Sequence, residues 1–417
     1  MKCNFRFLTA VGLTISLWII AAIAFGDWPQ WRGLNRDGRS SDTGLLKQWP
    51  EDGPKLMWLA TGLGLGYTNV SVVGGNVFAM GDLGDANYLI AINQADGKIL
   101  WKTKVGKSGA PGWGGFIGPR CTPTVDNDLV FAVGQFGEVL CANAATGDEI
   151  WRKDYGKDFG AQRPEWGFAG MPLVDGDKVI LVPGGKQGDL VALNKKTGKL
   201  IWRSKELNDS IHYSSPILVE IGGVPQIIQL TDASVAGIQA SDGHLLWRAA
   251  RKGSVAVIPT PIYHDGQVYV SSGYGAGCNL FKITADDGKF SAKQVYANKD
   301  MANHHGGVVR VGKDLYGFSD GKGWVCQDFE TGEIVWHKQG IGKGSLAYAD
   351  GLLYLRAEAG KGTVAIIEPS ADGYKELGHF DPPDRSDKNS WPHPVITGGR
   401  LYLRDQDVLQ CYDVQGK

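Results

Sequence analysis

The six cysteines of this chain form no CxxC and no CxxCH pattern, so neither a zinc knuckle nor an attached c-type haem is encoded. An excess of positive charge is also missing. Lys and Arg total 43 against 44 Asp and Glu, for a net charge of −1, and no dense basic stripe occurs. A nucleic-acid partner is therefore not expected. Two glycine-rich stretches, Gly62–Gly66 and Gly273–Gly277, are followed by no helical pattern, which excludes a phosphate cradle at a helix N-terminus. Beyond residue 26 no apolar run is long enough to cross a membrane.

Before that point one apolar run is present. Lys2 and Arg6 precede Phe7–Phe25, which is interrupted in polarity only by Thr9, Thr14 and Ser16. Residues 1–26 read as a signal peptide, with cleavage after Ala24 or after Gly26, and an uncleaved anchor as the alternative. No Leu-x-x-Cys arrangement ends the segment, so lipid attachment is not expected. The mature chain, 27–417, is expected outside the cytoplasm, in the periplasm or secreted, as a monomer.

What the chain does have is glycine, 60 residues of it, and a repeated unit. In Leu190–Trp202 two short strands flank Asn-Lys-Lys-Thr-Gly, where Gly198 supplies the positive φ of a tight turn and Trp202 follows four residues later. The same Gly-to-Trp spacing yields Trp101, Trp151, Trp247 and Trp336. Two further copies keep Asp-Gly but place Ala292 and Leu377 where the Trp belongs. An eighth copy is divided between the chain ends, Val408–Asp413 giving one strand and Lys55–Trp58 the other. These anchors recur every 41 to 51 residues, and strand-only repeats of that period predict a propeller. A front pair of strands precedes each unit, as in Thr122–Val125 with Leu129–Val133. The expectation is an all-β, eight-bladed β-propeller of four-stranded blades, a single domain over 27–417, closed by pairing of N- and C-terminal strands. Trp58, Trp101, Trp151, Trp202, Trp247 and Trp336 are expected to pack between blades.

Cys141, Cys326 and Cys411 occupy the repeat position of Ala192 and should be buried thiols, because packed sheets lie about 10 Å apart and a disulfide needs about 7 Å or less. Only Cys121 and Cys141, in one blade, come into question as a pair.

Loop length separates the two faces of the ring. A–B turns such as Asp265-Gly266 are short, whereas the connections from one blade to the next are long and carry unusual residues. The candidate ligand-binding residues on this face are Arg120, Arg163, Trp166, His212, Tyr213, Tyr274, His304, His305, Trp391, His393 and Arg404. Each has a plain structural reading too. The arginines clamp an anion or pair with carboxylates, and the tryptophans stack on a ligand or pack their own loops. Adjacent His304 and His305 point to different sides of an extended chain, so no metal site is expected there. No catalytic residue is identifiable.

The repeat Ala-x-Asn-x-x-Thr-Gly-x-x-x-Trp resembles the tryptophan-docking repeat of quinoprotein dehydrogenases and of pyrroloquinoline-quinone (PQQ)-like propellers. The opening Asp27-Trp-Pro-Gln-Trp-Arg-Gly-Leu-Asn-Arg-Asp-Gly38 is similar to the start of exported bacterial PQQ-binding-like repeat proteins. That group is similar both to quinoprotein alcohol dehydrogenases and to the non-catalytic propeller lipoprotein of the outer-membrane protein assembly machine. The resemblance implies the fold and leaves function open between two classes. In one, the loop face binds a peptide, a glycan or a partner protein, with no cofactor. In the other, PQQ and calcium make the chain a dehydrogenase of an alcohol or sugar. The adjacent-cysteine pair and the haem domain of many quinoprotein alcohol dehydrogenases are absent, which places binding ahead.

Overall fold

The computed structural model describes residues 26–416, so the expected signal peptide lies almost wholly outside the described residues. Eight four-stranded antiparallel sheets form the ring. Blades 1 to 7 follow in chain order, the first running from Ser71 to Lys107 and the seventh from Gly344 to Phe380. The eighth combines Val395–Thr397, Arg400–Asp405 and Val408–Asp413 with Lys55–Ala60 from the other end of the chain. Trp58 lies opposite Cys411 in that closing pair, so the ring has no open blade.

The anchor tryptophans explain why neighbouring blades stay in register. Each sits opposite a small residue of its own sheet: Trp101 faces Ala91, Trp151 faces Cys141, Trp202 faces Ala192 and Trp336 faces Cys326. The indole reaches across to the next blade and donates to a carbonyl in its C–D turn. Trp58 bonds Gln94 at 3.0 Å, Trp101 bonds Ala145 at 3.1 Å, Trp151 bonds Lys195 at 2.9 Å and Trp202 bonds Ala240 at 3.2 Å. The turn glycine is required twice over. Gly147 and Gly243 have φ of +78° and +80°, and an added Cβ would come within 2.6 and 2.5 Å of the preceding blade's indole.

Two anchors differ from the sequence expectation. In blade 5 the C–D hairpin is longer, with ten residues in each strand, so counting four from Gly288 stops short of the anchor row. The residue in that row is Tyr296, opposite Leu280, and its hydroxyl donates to the Phe329 carbonyl of blade 6 at 3.0 Å. Ala292 instead pairs with Ile283 in the hairpin extension. Trp247, which would dock on that displaced turn, turns back to Gln226 of its own blade at 2.8 Å. In blade 7 the anchor row falls on Gly378, opposite Ile366, while Leu377 is the bulged residue. Trp49 fills the vacant place from the N-terminal segment, its ring 5.9 Å from Tyr354 and 5.2 Å from Phe380.

The opening segment that carries the family resemblance closes the central channel. Trp28 bridges to Val72 beside the A–B turn of blade 1, Pro29 accepts from the Val125 amide of blade 2, and Gly38 accepts from Tyr348 of blade 7. Two buried arginines complete the seal. Arg36 donates to the carbonyls of Met171, Pro172 and Pro216, and Arg32 to that of Val308. Cys121, Cys141, Cys278, Cys326 and Cys411 are all buried free thiols; burial pushes Cys121 and Cys141 up to about 12.

Candidate functional site

The channel is blind, and its open end lies on the face with the long connections. There a cavity of about 280 Å³ opens, lined from every blade-to-blade connection except the one between blades 6 and 7. Trp31 of the channel plug forms the floor, held by an indole N–H donated to Thr260 Oγ1 at 2.9 Å. One wall is an aromatic cluster in which Trp391 lies 4.5 Å from Tyr67 and 5.0 Å from Phe116 between ring centres. Opposite, Trp166 packs 5.9 Å from Tyr213 and donates its N–H to the Trp113 carbonyl at 3.0 Å. Tyr274 meets His304 edge-on at 4.8 Å. Trp113 stands at the rim, 76% exposed, an unusual position for so large an apolar surface.

Polar groups on the lining are few. Arg120 is half-buried, with its guanidinium 5.7 Å from the Tyr67 ring centre. It donates to the Phe116 carbonyl at 2.8 Å and to that of Gly118. Burial lowers its pKa to about 10, opposed by the Tyr67 and Asp82 side chains, so it stays charged at neutral pH. His304 is held down to about 3 by burial and by His305 and Lys343, and is neutral; Lys343 sits 3.1 Å from its Nδ1 and 2.8 Å from Asp320. His305 pairs through Nε2 with Glu358 behind the wall. Burial raises the Glu358 carboxyl, but the bond and charge of His305 outweigh it and hold the pKa below the usual range.

Seven residues singled out in the sequence therefore line one cavity: Arg120, Trp166, Tyr213, Tyr274, His304, His305 and Trp391. Four do not. Arg163 is exposed on its loop, 5.3 Å above the Phe136 ring. His212 lies in a separate depression with Asp232 and Arg251, its Nδ1 accepting from the Val257 amide at 3.3 Å; burial lowers its pKa, with Asp232 opposing. His393 is buried under Trp31, 4.6 Å between ring centres, and its Nε2 N–H donates to the His305 carbonyl at 2.9 Å. Arg404 is 2% exposed, and its guanidinium is spent on Thr68, Met80, Gly64 and Gln406. These last two tie loops together and offer nothing to a ligand. Sequence reasoning missed Trp31 and Tyr67. Tyr67 lies in the blade 8 to blade 1 connection, which becomes a connection only once the ring is closed.

Among the described residues no helix is long and apolar enough to cross a membrane, and no group of three or more His, Cys, Asp or Glu is placed to hold a metal ion.

Comparison with known proteins agrees with this architecture. Outer membrane protein assembly factor BamB of Shewanella oneidensis is 22% identical over 260 residues, 58% of this chain and 61% of that protein. The same factor of Moranella endobia is 20% identical over 276 residues, 61% of this chain and 66% of that one. The chain thus spans under two thirds of the length of these curated relatives. A tetrathionate hydrolase of Acidithiobacillus ferrooxidans is 27% identical over 40% of this chain and 38% of its own length. Among solved structures, BamB of Moraxella catarrhalis superposes with a TM-score of 0.56 at 13% identity, covering 81% of this chain and 94% of that one. Quinohemoprotein alcohol dehydrogenase of Comamonas testosteroni superposes at 0.67 and 12% identity, covering 94% of this chain and 81% of that one; likenesses at this identity show the fold alone. The family profile described as outer membrane protein assembly factor BamB matches residues 85–338, more than half of the sequence, and the chain belongs to that family of PQQ-like β-propeller repeat proteins.

Proposed function

We propose that this protein is an exported binding or scaffold module. Its loop-rich face holds a peptide, a glycan or a partner protein, with one group of that ligand seated in the blind aromatic cavity. The observation that carries this reading is the cavity itself: connections from around the ring converge on one apolar pocket with few polar groups, the usual anatomy of a binding site. Exposed Trp113 and Tyr274 on its lining supply the apolar rim that partner surfaces use. Assignment to a family named for outer membrane assembly supports placement outside the cytoplasm, as does the signal-like segment at residues 1–26.

The second reading is a dehydrogenase carrying PQQ and calcium, which the quinohemoprotein likeness brings forward. The cavity residues do not fit that pair. PQQ carries three carboxylates, and the lining offers one cation without a carboxylate partner, Arg120. Calcium takes six to eight oxygen ligands, typically including carboxylates, yet no Asp or Glu lines the pocket. Asn69, the only amide there, is bonded both ways to the His393 backbone at 2.8 and 3.3 Å.

Titration of the purified protein with 2-naphthamide, a neutral aromatic probe, followed by tryptophan emission, tests the cavity. Saturable quenching that Trp391→Ala removes is the expected result. Saturable PQQ binding with calcium, together with dye-linked oxidation of an alcohol, would replace the binding reading with the catalytic one.

A further inference from the structure

Resting on the binding reading, the charge pattern of the cavity narrows what enters it. Arg120 is the one cation on the lining without a carboxylate partner among the described residues, since His305 is paired with Glu358. The acid that acts on Arg120 at longer range, Asp82, is occupied: it accepts from Gln135 at 2.9 Å, Asn87 at 3.0 Å and the Gly109 amide at 2.7 Å. The neighbouring Lys343 is already paired with Asp320. Arg120 itself gives two hydrogen bonds, to Phe116 and Gly118, and a guanidinium has five N–H donors. A positive charge with donors in hand therefore faces an aromatic space.

Two of the other polar groups on the lining are already engaged. Asn69 is tied to His393, and Ser215 Oγ lies 2.8 Å from Met171 Sδ. Beyond these, single hydroxyls and ring nitrogens on Tyr67, Tyr213, Tyr274, His304 and His305 sit in an otherwise apolar wall, which favours an aromatic body over a polyol. A cation would meet Arg120 and no acid. Size sets the rest. An apolar cavity of about 150 Å³ holds one benzene, so about 280 Å³ has room for a two-ring system.

We propose that the group seated in this cavity is an aryl monocarboxylate: a planar body about two rings wide, stacked among Trp166, Trp391 and Tyr67, with its single carboxylate on Arg120. A multiply charged ligand is disfavoured because only one lining cation lacks a carboxylate partner.

The test compares 2-naphthoate with isosteric 2-naphthamide by tryptophan fluorescence and calorimetry on the purified protein. Naphthoate should bind about tenfold or more tightly than the amide, the advantage of a charge-assisted hydrogen bond. Arg120→Gln should bring the affinities of the two probes to within about twofold of each other, with a near-UV circular dichroism spectrum matching wild type showing that the variant is folded. Arg120→Lys should keep the preference for the acid. Equal affinity of acid and amide in the wild type would overturn the anion assignment and leave the cavity as a neutral binding site. Failure of both probes to saturate at millimolar concentration would overturn the cavity as a binding site and this proposal with it.

Discussion

Replacing Trp49 with Ala removes an anchor that the repeat pattern assigns elsewhere. Trp49 is 6% exposed, packs edge-on against Tyr354 and Phe380, and lies against Gly378, where an added Cβ would come within 3.0 Å of its own Cβ. Its indole N–H has no partner, so the substitution forfeits packing and no hydrogen bond. Loss of a buried Trp side chain costs about 3–5 kcal/mol, a large share of the stability of any domain. Leu377, which the spacing of the repeat nominates as the anchor, is a half-buried bulged residue of the outer strand at the edge of the same core, and Leu377→Ala should cost about 1–2 kcal/mol, less than Trp49→Ala. Equilibrium unfolding in urea, followed by near-UV circular dichroism, measures both variants side by side. A Leu377→Ala loss equal to that of Trp49→Ala, or an unchanged midpoint for Trp49→Ala, would refute the assignment of the blade 7 anchor.

Tyr296→Ala should destabilise by about 3 kcal/mol in that assay, whereas Ala292→Trp, placed on the hairpin extension, should bring no stabilisation. Arg404→Ala should cost about 3 kcal/mol or more by leaving buried carbonyls unpaired, and a melt unchanged from wild type would show that the guanidinium is dispensable to the fold. Asp189 is buried, and its carboxyl is raised to about 8 by burial and by Asp209. The native state then holds a proton that the unfolded chain releases above about pH 4, so stability falls by about 1.4 kcal/mol per pH unit between there and pH 8. Asp189→Asn should flatten that slope, and its stability relative to wild type should therefore rise from pH 5 to pH 8 in parallel melts.

How much of this was legible beforehand depends on which interactions are local. The Thr-Gly-to-Trp unit encodes a tight turn and its indole within about a dozen residues, so blade number, blade order and the split eighth blade could be read directly. The difference between the faces was legible for the same reason, since a long connection announces itself by its length. Residues on those connections were among the candidates, and Trp166, His304 and Trp391 do line the cavity, joined by Tyr274 from the B–C turn of blade 5.

Tertiary structure decided the rest. Nothing near Arg404 or His393 in sequence reveals that blades 8 and 1 enclose one and that Trp31 covers the other, because their partners, Thr68 and His305, are 336 and 88 residues away. Tyr296 was hidden by a hairpin four residues longer on its return strand, which breaks a count made from the turn. Trp49 and Trp31 were hidden because they act outside their own repeat, one packing into blade 7 and the other flooring the cavity at the end of the plugged channel. Periodic patterning determines which residues belong to a blade, since side-chain alternation and turn geometry are properties of a few consecutive residues. What fills the space between blades is chosen by ring closure, which brings together segments that no local pattern connects.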